Sequence, residues 1–199
     1  DVLLQEVHHR VKNNMAIIAS FLDLQSLQLD DDILVNMLQE TRQRIRVMAL
    51  VHEKLYQSNN LREIYLESYI SKLVRDLVSI NNKNDLLIDL QFDFDEIFLG
   101  MSTLIPVGLI VNELVTNVVK HAFDSIEHPV LSVKCKQIEN NCILLIIKDN
   151  GIGAVKGKDD FQKSLGIQIV EALVKQLHGE IEINSDQGTE VRIEFLKKG

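Results

Sequence analysis

The sequence has few cysteines, no long uninterrupted apolar segment and no excess of positive charge, and each lack excludes a class of protein. Its two cysteines, Cys135 and Cys142, lie in or beside alternating apolar segments without metal-site spacing, so we expect reduced thiols, buried or half-buried. The chain has 21 basic against 29 acidic residues, and its net charge of -8 argues against a general nucleic-acid or anionic-membrane surface. No apolar segment approaches the roughly 20 residues that a membrane span requires, and no signal peptide is visible.

What is present suits a soluble globular chain. The 199 residues, 46% of them hydrophobic, are enough for one large domain or two small ones. The sequence begins at Asp1 inside a helical pattern and without an initiating methionine, so we expect it to be a piece of a longer protein.

The first segment, up to about Leu29, has the heptad pattern of a helix in a bundle. The predicted seam consists of positions a and d, which include Leu4, Val7, Val11, Ile18 and Phe21. His8 falls at the rim of this seam, whereas His9 falls on the opposite side and is predicted to face solvent. Glu6 lies one turn before His9, within reach of its ring.

A second helix is predicted from Ile33 to about Gln57, after an acidic N-cap at Asp30 to Asp32. The two helices form an antiparallel hairpin, in which His52 is interpreted as a packed core residue. One hairpin has too little core, so we expect two chains to form a four-helix bundle. The polar break at 58–60 then separates a helical domain, 1–58, from a second domain, 61–199.

The second domain is predicted to be α+β, with a mixed sheet covered by helices on one face. Its predicted helices span about 66–80, 102–123 and 165–178, and Pro106 is expected in the first turn of the second of these. The predicted strands are 86–94, 130–138, 142–148, 180–184 and 190–196, with a tight hairpin at Asn140 and Asn141.

The helix at 102–123 has polar residues on an otherwise apolar surface, at four- and three-residue spacing. They are Glu113, Asn117, Lys120 and His121. An oxygen ligand for a hard cation beside donors for phosphate oxygens suits Mg²⁺ and a polyphosphate. The same pattern is also compatible with a solvated helix face.

Three glycine-containing segments follow in an informative order. Asp149 ends a strand and begins Asp-Asn-Gly-Ile-Gly, where a fixed carboxylate can accept from the exocyclic amine of adenine; a simple strand-ending turn is the alternative. Gly166 opens a helix, whose free N–H groups favour phosphate, and Gly188-Thr189 adds a second glycine turn. The order of these segments is more specific than any one of them.

With these motifs, nearly the whole chain resembles a sensor histidine kinase. The segment from Pro106 to Phe195 resembles the ATP-binding domain of gyrase, the large heat-shock chaperone, histidine kinases and MutL, called GHKL or Bergerat. Its N, G1 and G2 boxes are Asn112 to His121, Asp149 to Gly153 and Ser164 to Gly166. The segment from Leu3 to Ser58 resembles the dimerisation and phosphoacceptor hairpin of the HRVKNN subgroup, related to the HWE kinases.

The resemblance implies a role for each matching residue. His9 is the phosphoacceptor, Asn117 the Mg²⁺ ligand with Asn112 in support, and Glu113 the acid that activates water in the ATPase relatives. The rest of the ATP pocket is Lys120, His121, Asp149, Gly151, Gly153, Gly166 and Thr189. Where the larger class has an acid after the histidine, this chain has Arg10, and Glu6 is the substitute candidate for the base. The loop between Gly153 and Ser164 is predicted to be a lid, in which Lys156 or Lys158 donates to phosphate or is merely solvated.

The implied function is that of a cytoplasmic kinase core in two-component signalling. It would autophosphorylate His9 with Mg²⁺-ATP and pass the phosphoryl group to an aspartate of a response regulator. Homodimerisation and an upstream sensor domain are expected, without nucleic-acid or membrane partners. The alternatives are a non-catalytic pseudokinase scaffold and a serine kinase or ATPase of the same fold.

Overall fold

The computed structural model describes residues 2–57, 63–82, 85–153, 164–185 and 187–197. They form two compact units, which divide between Ile64 and Tyr65. The sequence-based boundary falls at 58–61, outside the described residues, and stays a prediction. The predicted lid with Lys156 and Lys158 also lies outside them, as do the His8 and His52 side chains.

The first unit is the predicted helical hairpin, formed by α1 (Val2–Ser26) and α2 (Asp32–Gln57). Asp31 is the N-cap of α2, because its Oδ1 accepts from the backbone N–H groups of Ile33 at 2.8 Å and Leu34 at 3.3 Å. An ion pair between Arg42 and Asp23 joins the two helices near the turn.

Pairing of the two helices within one chain leaves the predicted seam at the surface. Ala19 on α1 and Val47 on α2 are buried. By contrast, Val7, Ile18 and Phe21 are 48%, 49% and 61% exposed. Val11 is half-buried, so α2 leaves most, but not all, of the described residues of this predicted seam uncovered.

The second unit contains three described helices and a mixed sheet, as predicted for the fold class. The helices are α3 (Leu66–Asn81), α4 (Met101–His121) and α5 (Leu165–Gln176). Strand β1 (Ile64–Tyr65) begins at the last residue of the first unit. The strands that lie wholly in the second unit are β2 (Asp89–Phe94), β3 (Phe98–Leu99), β4 (Val130–Ile138), β5 (Cys142–Asp149), β6 (Glu180–Asn184) and β7 (Glu190–Leu196). The five-stranded sheet has the order β2-β4-β5-β7-β6, with β2 parallel to β4 and the other neighbours antiparallel.

The core of this unit lies between the sheet and α4, which contacts α3, α5 and β5. Alternate residues of β4 and β5 are buried, as a half-covered sheet requires. Cys135 is a free, buried thiol, as predicted, and burial raises its pKa to about 12. Cys142 is half-buried, and its Sγ donates to the carbonyl of Phe195.

Two local predictions need correction and one is confirmed. Pro106 lies six residues into α4, not in its first turn, and it removes an intrahelical N–H donor there. Strand β2 begins at Asp89 instead of Leu86, because the Asn82 side chain accepts from the Leu86 N–H and donates to its carbonyl, which holds a loop. The β4–β5 connection is a 3₁₀ turn in which Asn141 has the expected positive φ of 61°.

Helix α4 is long and apolar enough to cross a membrane, contrary to the expectation that no segment approaches that length. Most of it is buried inside the second unit, as in the central helix of a folded domain.

Candidate functional site

The polar residues of α4 divide into a buried pair and an accessible group. Asn112 and Glu113 are buried, and the Asn112 amide donates to Glu113 Oε1 at 3.0 Å. Asn117 is half-buried, whereas Lys120 and His121 are exposed at the end of the helix. The alternative of a solvated helix face is therefore wrong for Glu113.

The N-terminus of α5 lies against this polar group. A Cβ atom added at Gly166 would be 3.2 Å from Glu113 Oε2 and 3.7 Å from Asn117 Nδ2. Ser164 caps the helix by accepting from the Ile167 N–H at 3.4 Å. The N–H groups and dipole of a helix N-terminus favour phosphate, so a phosphate-binding element lies beside the Asn117 amide.

Only one of the two carboxylate oxygens of Asp149, the last residue of β5, accepts hydrogen bonds from described residues of the chain. Its Oδ1 accepts from the N–H groups of Gly151 at 2.8 Å and Thr189 at 3.2 Å. Its Oδ2 is buried and accepts no hydrogen bond from any residue in the described part of the chain. Burial raises the pKa of Asp149, and hydrogen bonds from the backbone N–H groups of Gly151 and Thr189 and from the Thr189 side chain oppose that shift. Such an acceptor suits an N–H donor on a ligand.

Close backbone approaches fix the turn that follows Asp149. A Cβ at Gly151 would lie 2.2 Å from the carbonyl oxygen of Ala122, at the end of α4, and the Ile152 N–H donates to the same oxygen. Gly188, with a φ of 78°, would place a Cβ 2.1 Å from the Asp149 carbonyl oxygen. The turn is thus held between α4 and the β6–β7 connection, where a side chain does not fit.

Asn150 is a residue of this site that the sequence did not single out. Its Oδ1 accepts from the Val130 N–H at 2.7 Å, and its Nδ2 donates to the His128 carbonyl at 2.8 Å. These two hydrogen bonds therefore join the start of β4 to the end of β5. The only sequence signal is the general tendency of asparagine to bind backbone groups in turns.

In the first unit, His9 is exposed on α1, as predicted. The neighbouring Glu6 accepts a hydrogen bond from Arg10 Nε at 2.8 Å, and the two residues form an ion pair one helical turn apart. Glu6 thus has a cationic partner, which the sequence-based proposal of a base beside His9 did not include.

The residues of the second unit fit a nucleotide and a hard cation. The Asp149 carboxylate has an unused acceptor, and a helix N-terminus adjoins Asn117. The described residues contain no group of three or more His, Cys, Asp or Glu side chains placed to hold a metal. A cation held by one amide oxygen and by phosphate oxygens suits Mg²⁺, which keeps several waters and demands few protein ligands.

Comparison with known families agrees with both units. Residues 6–81 match the family described as histidine kinase. Residues 104–199 match the histidine kinase-, DNA gyrase B-, and HSP90-like ATPases. The chain belongs to the histidine kinases.

Relatives of this histidine kinase include two named bacterial proteins. It is 25% identical to blue-light-activated histidine kinase 2 of Erythrobacter litoralis, with 98% of this chain and 57% of the relative aligned. It is 27% identical to the sensor histidine kinase PdtaS of Mycobacterium tuberculosis, with 96% of this chain and 38% of the relative aligned. The chain thus spans less than two thirds of either relative.

Solved structures show the same fold. The histidine kinase domain of the Erythrobacter litoralis EL346 blue-light activated kinase has a TM-score of 0.70 at 24% identity, covering 96% of this chain and 89% of that one. The Acinetobacter baumannii histidine kinase AdeS has a TM-score of 0.54 at 16% identity, covering 94% and 97%. The predicted GHKL-type fold is confirmed.

Proposed function

We propose that this chain is the kinase core of a two-component sensor histidine kinase, which phosphorylates itself on His9 and then a response regulator. The observation that carries the proposal is the unused, buried Oδ2 of Asp149, combined with the α5 N-terminus beside Asn117. Together they supply an acceptor for adenine and donors for phosphates.

Each part of the pocket has one task in binding. Asp149 Oδ2 accepts from the exocyclic amine of adenine, while Gly151 and Thr189 keep the carboxylate in place. The α5 N-terminus binds phosphate oxygens, with Lys120 and His121 as further donors. Asn117 supplies the protein ligand for Mg²⁺, which when bound neutralises phosphate charge and orients the γ-phosphoryl group.

The phosphoryl transfer is a displacement at Pγ. An unprotonated imidazole nitrogen of His9 attacks, an N–P bond forms, and the bond from Pγ to the bridging oxygen breaks with its electrons on ADP. The phosphoryl group next passes to an aspartate carboxylate of the regulator, which restores His9. Such transfers depend mainly on positioning and charge stabilisation. Glu6 therefore stays a candidate for the general base and Glu113 a candidate for a supporting acid, and neither is the nucleophile.

The exposed seam of α1 supports a homodimer through the hairpin. Ile18 and Phe21 are about half or more exposed, and apolar residues of α2 such as Ile33 and Met37 are exposed as well. A second hairpin that covers them would complete a four-helix bundle. We also propose a cytoplasmic location and a sensor domain elsewhere in the full-length protein.

Incubation with γ-³²P-ATP and Mg²⁺ tests the kinase proposal. The wild type is expected to gain acid-labile, alkali-stable label, and His9→Gln to gain none while still binding Mg²⁺-ATP in calorimetry. His128→Gln, at another exposed histidine, is the matched control and should label normally. Label that persists in His9→Gln would overturn the site, and alkali-labile label would indicate a serine kinase. Absence of Mg²⁺-ATP binding would favour the scaffold.

A further inference from the structure

The residue after His9 is an arginine held in an exposed ion pair. Arg10 Nε donates to Glu6 Oε1 at 2.8 Å, and the two side chains are 75% and 55% exposed. Ion pairs this exposed contribute little to stability, because water and salt screen them. The pair can therefore exchange partners at small cost when a stronger anion appears nearby.

Helix geometry places His9, the proposed phosphoacceptor, next to this ion pair. Glu6 precedes His9 by three residues and Arg10 by four, so it neighbours both on the helix surface. Successive residues of a helix do not face each other, but the Arg10 guanidinium lies on the Glu6 carboxylate, and side chains that lean towards the N-terminus bring the His9 ring towards the same carboxylate. An arginine has five N–H donors, and the bond from Nε to Glu6 uses one of them.

Phosphorylation of His9 would change the charge balance of this turn. A phosphoryl group adds close to two negative charges and three strong acceptor oxygens. The Glu6 carboxylate repels such a group at three-residue spacing, whereas a guanidinium binds phosphate oxygens through its planar fork.

We propose that Arg10 is a phosphohistidine clamp, which releases Glu6 and binds the phosphoryl group on His9. This inference rests on the proposed function, since it requires that His9 carries phosphate. It gives the arginine that replaces the usual acid a role of its own, in stabilising the phosphorylated product.

The direction in which two substitutions change the phosphorylation equilibrium of His9 distinguishes the clamp from a structural ion pair. If Arg10 only pairs with Glu6, then Glu6→Gln and Arg10→Gln break the same contact and act in the same direction. If Arg10 is a clamp, Arg10→Gln disfavours phosphorylated His9, whereas Glu6→Gln favours it by removing a repulsive charge and a competitor.

The first experiment measures the equilibrium between ATP with unmodified His9 and ADP with phosphorylated His9. Arg10→Gln should lower the equilibrium constant about three- to tenfold, and Glu6→Gln should raise it about two- to threefold. Arg10→Lys, which keeps the charge and loses the fork, should fall between Arg10→Gln and the wild type. Lys134→Gln, an exposed lysine on β4, changes the net charge equally and should have no effect. Changes of the same sign in both α1 variants would overturn the clamp.

The second experiment does not depend on kinase activity. Phosphoramidate transfers its phosphoryl group to imidazole nitrogens with release of ammonia, and the His9 signal is the ³¹P resonance absent from His9→Gln. Its phosphoryl pKa should be about half a unit to one unit higher in Arg10→Gln than in the wild type, and lower in Glu6→Gln. Such shifts without ATP-dependent labelling would refute the proposed function alone. Normal labelling with an unchanged phosphoryl pKa in Arg10→Gln would refute the clamp alone.

Discussion

Replacement of Asp149 by asparagine changes one atom of the candidate adenine pocket. In the wild type, Oδ1 accepts from Gly151 and Thr189, and Oδ2 is buried without a partner among the described residues. The amide oxygen of asparagine can keep both backbone hydrogen bonds, which leaves its NH₂ group in the place of Oδ2. The pocket then presents a donor to the adenine amine, which is itself a donor.

The loss can be estimated from the burial of Asp149, which is 1% exposed. A hydrogen bond to a charged group contributes about 1.5–3 kcal/mol, equivalent to a roughly 10- to 150-fold rise in the Kd for ATP. Inosine triphosphate has a carbonyl oxygen at the position of the adenine amine, so it matches the asparagine NH₂ group. We expect Asp149→Asn to reverse the wild-type preference for ATP over ITP.

Isothermal titration calorimetry with Mg²⁺-ATP and Mg²⁺-ITP measures both effects. Asp76→Asn, an exposed acid on α3, changes the charge equally and should bind like the wild type. A role for Asp149 in binding adenine is refuted if Asp149→Asn binds ATP as tightly as the wild type. It is refuted as well if ATP and ITP lose affinity equally.

Three further predictions concern the fold and the assembly. Because burial raises the pKa of Asp149, its ionisation destabilises the native state as pH rises through that pKa. Asp149→Asn should therefore have a higher Tm than the wild type at pH 7. A Tm difference that persists below pH 3.8, the ordinary pKa of an aspartate, would contradict this. Gly151→Ala places a Cβ 2.2 Å from the Ala122 carbonyl oxygen, so urea unfolding should show a loss of about 1–3 kcal/mol, and an unchanged midpoint would disprove the close approach. Phe21→Ser should convert a dimer to monomers in light scattering without lowering helix content, whereas the exposed Ser20→Ala should not; a dimer that survives Phe21→Ser would exclude this seam.

The sequence predicted the elements best where one periodicity applies along a whole segment. Strands Glu180–Asn184 and Glu190–Leu196 have the predicted limits, because strict alternation and a glycine turn define them. It was less accurate where a local side-chain contact decides, as for Asn82, which holds the residues before β2 in a loop. Pro106 lies further into α4 than expected, since helix starts depend on packing as well as on capping.

The candidate site was predictable in its members but not in its contacts. The order of motifs identified Asp149 and Asn117, yet the approach of Gly166 to Glu113 depends on how α5 packs on α4. The Asn150 contacts likewise join segments 20 residues or more apart. On α1, apolar residues occupy more than one side: the heptad pattern assigned Ile18 to the seam, whereas Ala19 is the residue that is buried in the hairpin.

Mass spectrometry under conditions that preserve acid-labile phosphate can map the phosphorylated residue and so test whether His9 is the phosphoacceptor. After incubation of the wild-type chain with Mg²⁺-ATP, phosphate is expected on His9, and its yield should fall when Asp149→Asn is used instead. Phosphate on a serine or on another histidine, with His9 unmodified, would contradict it.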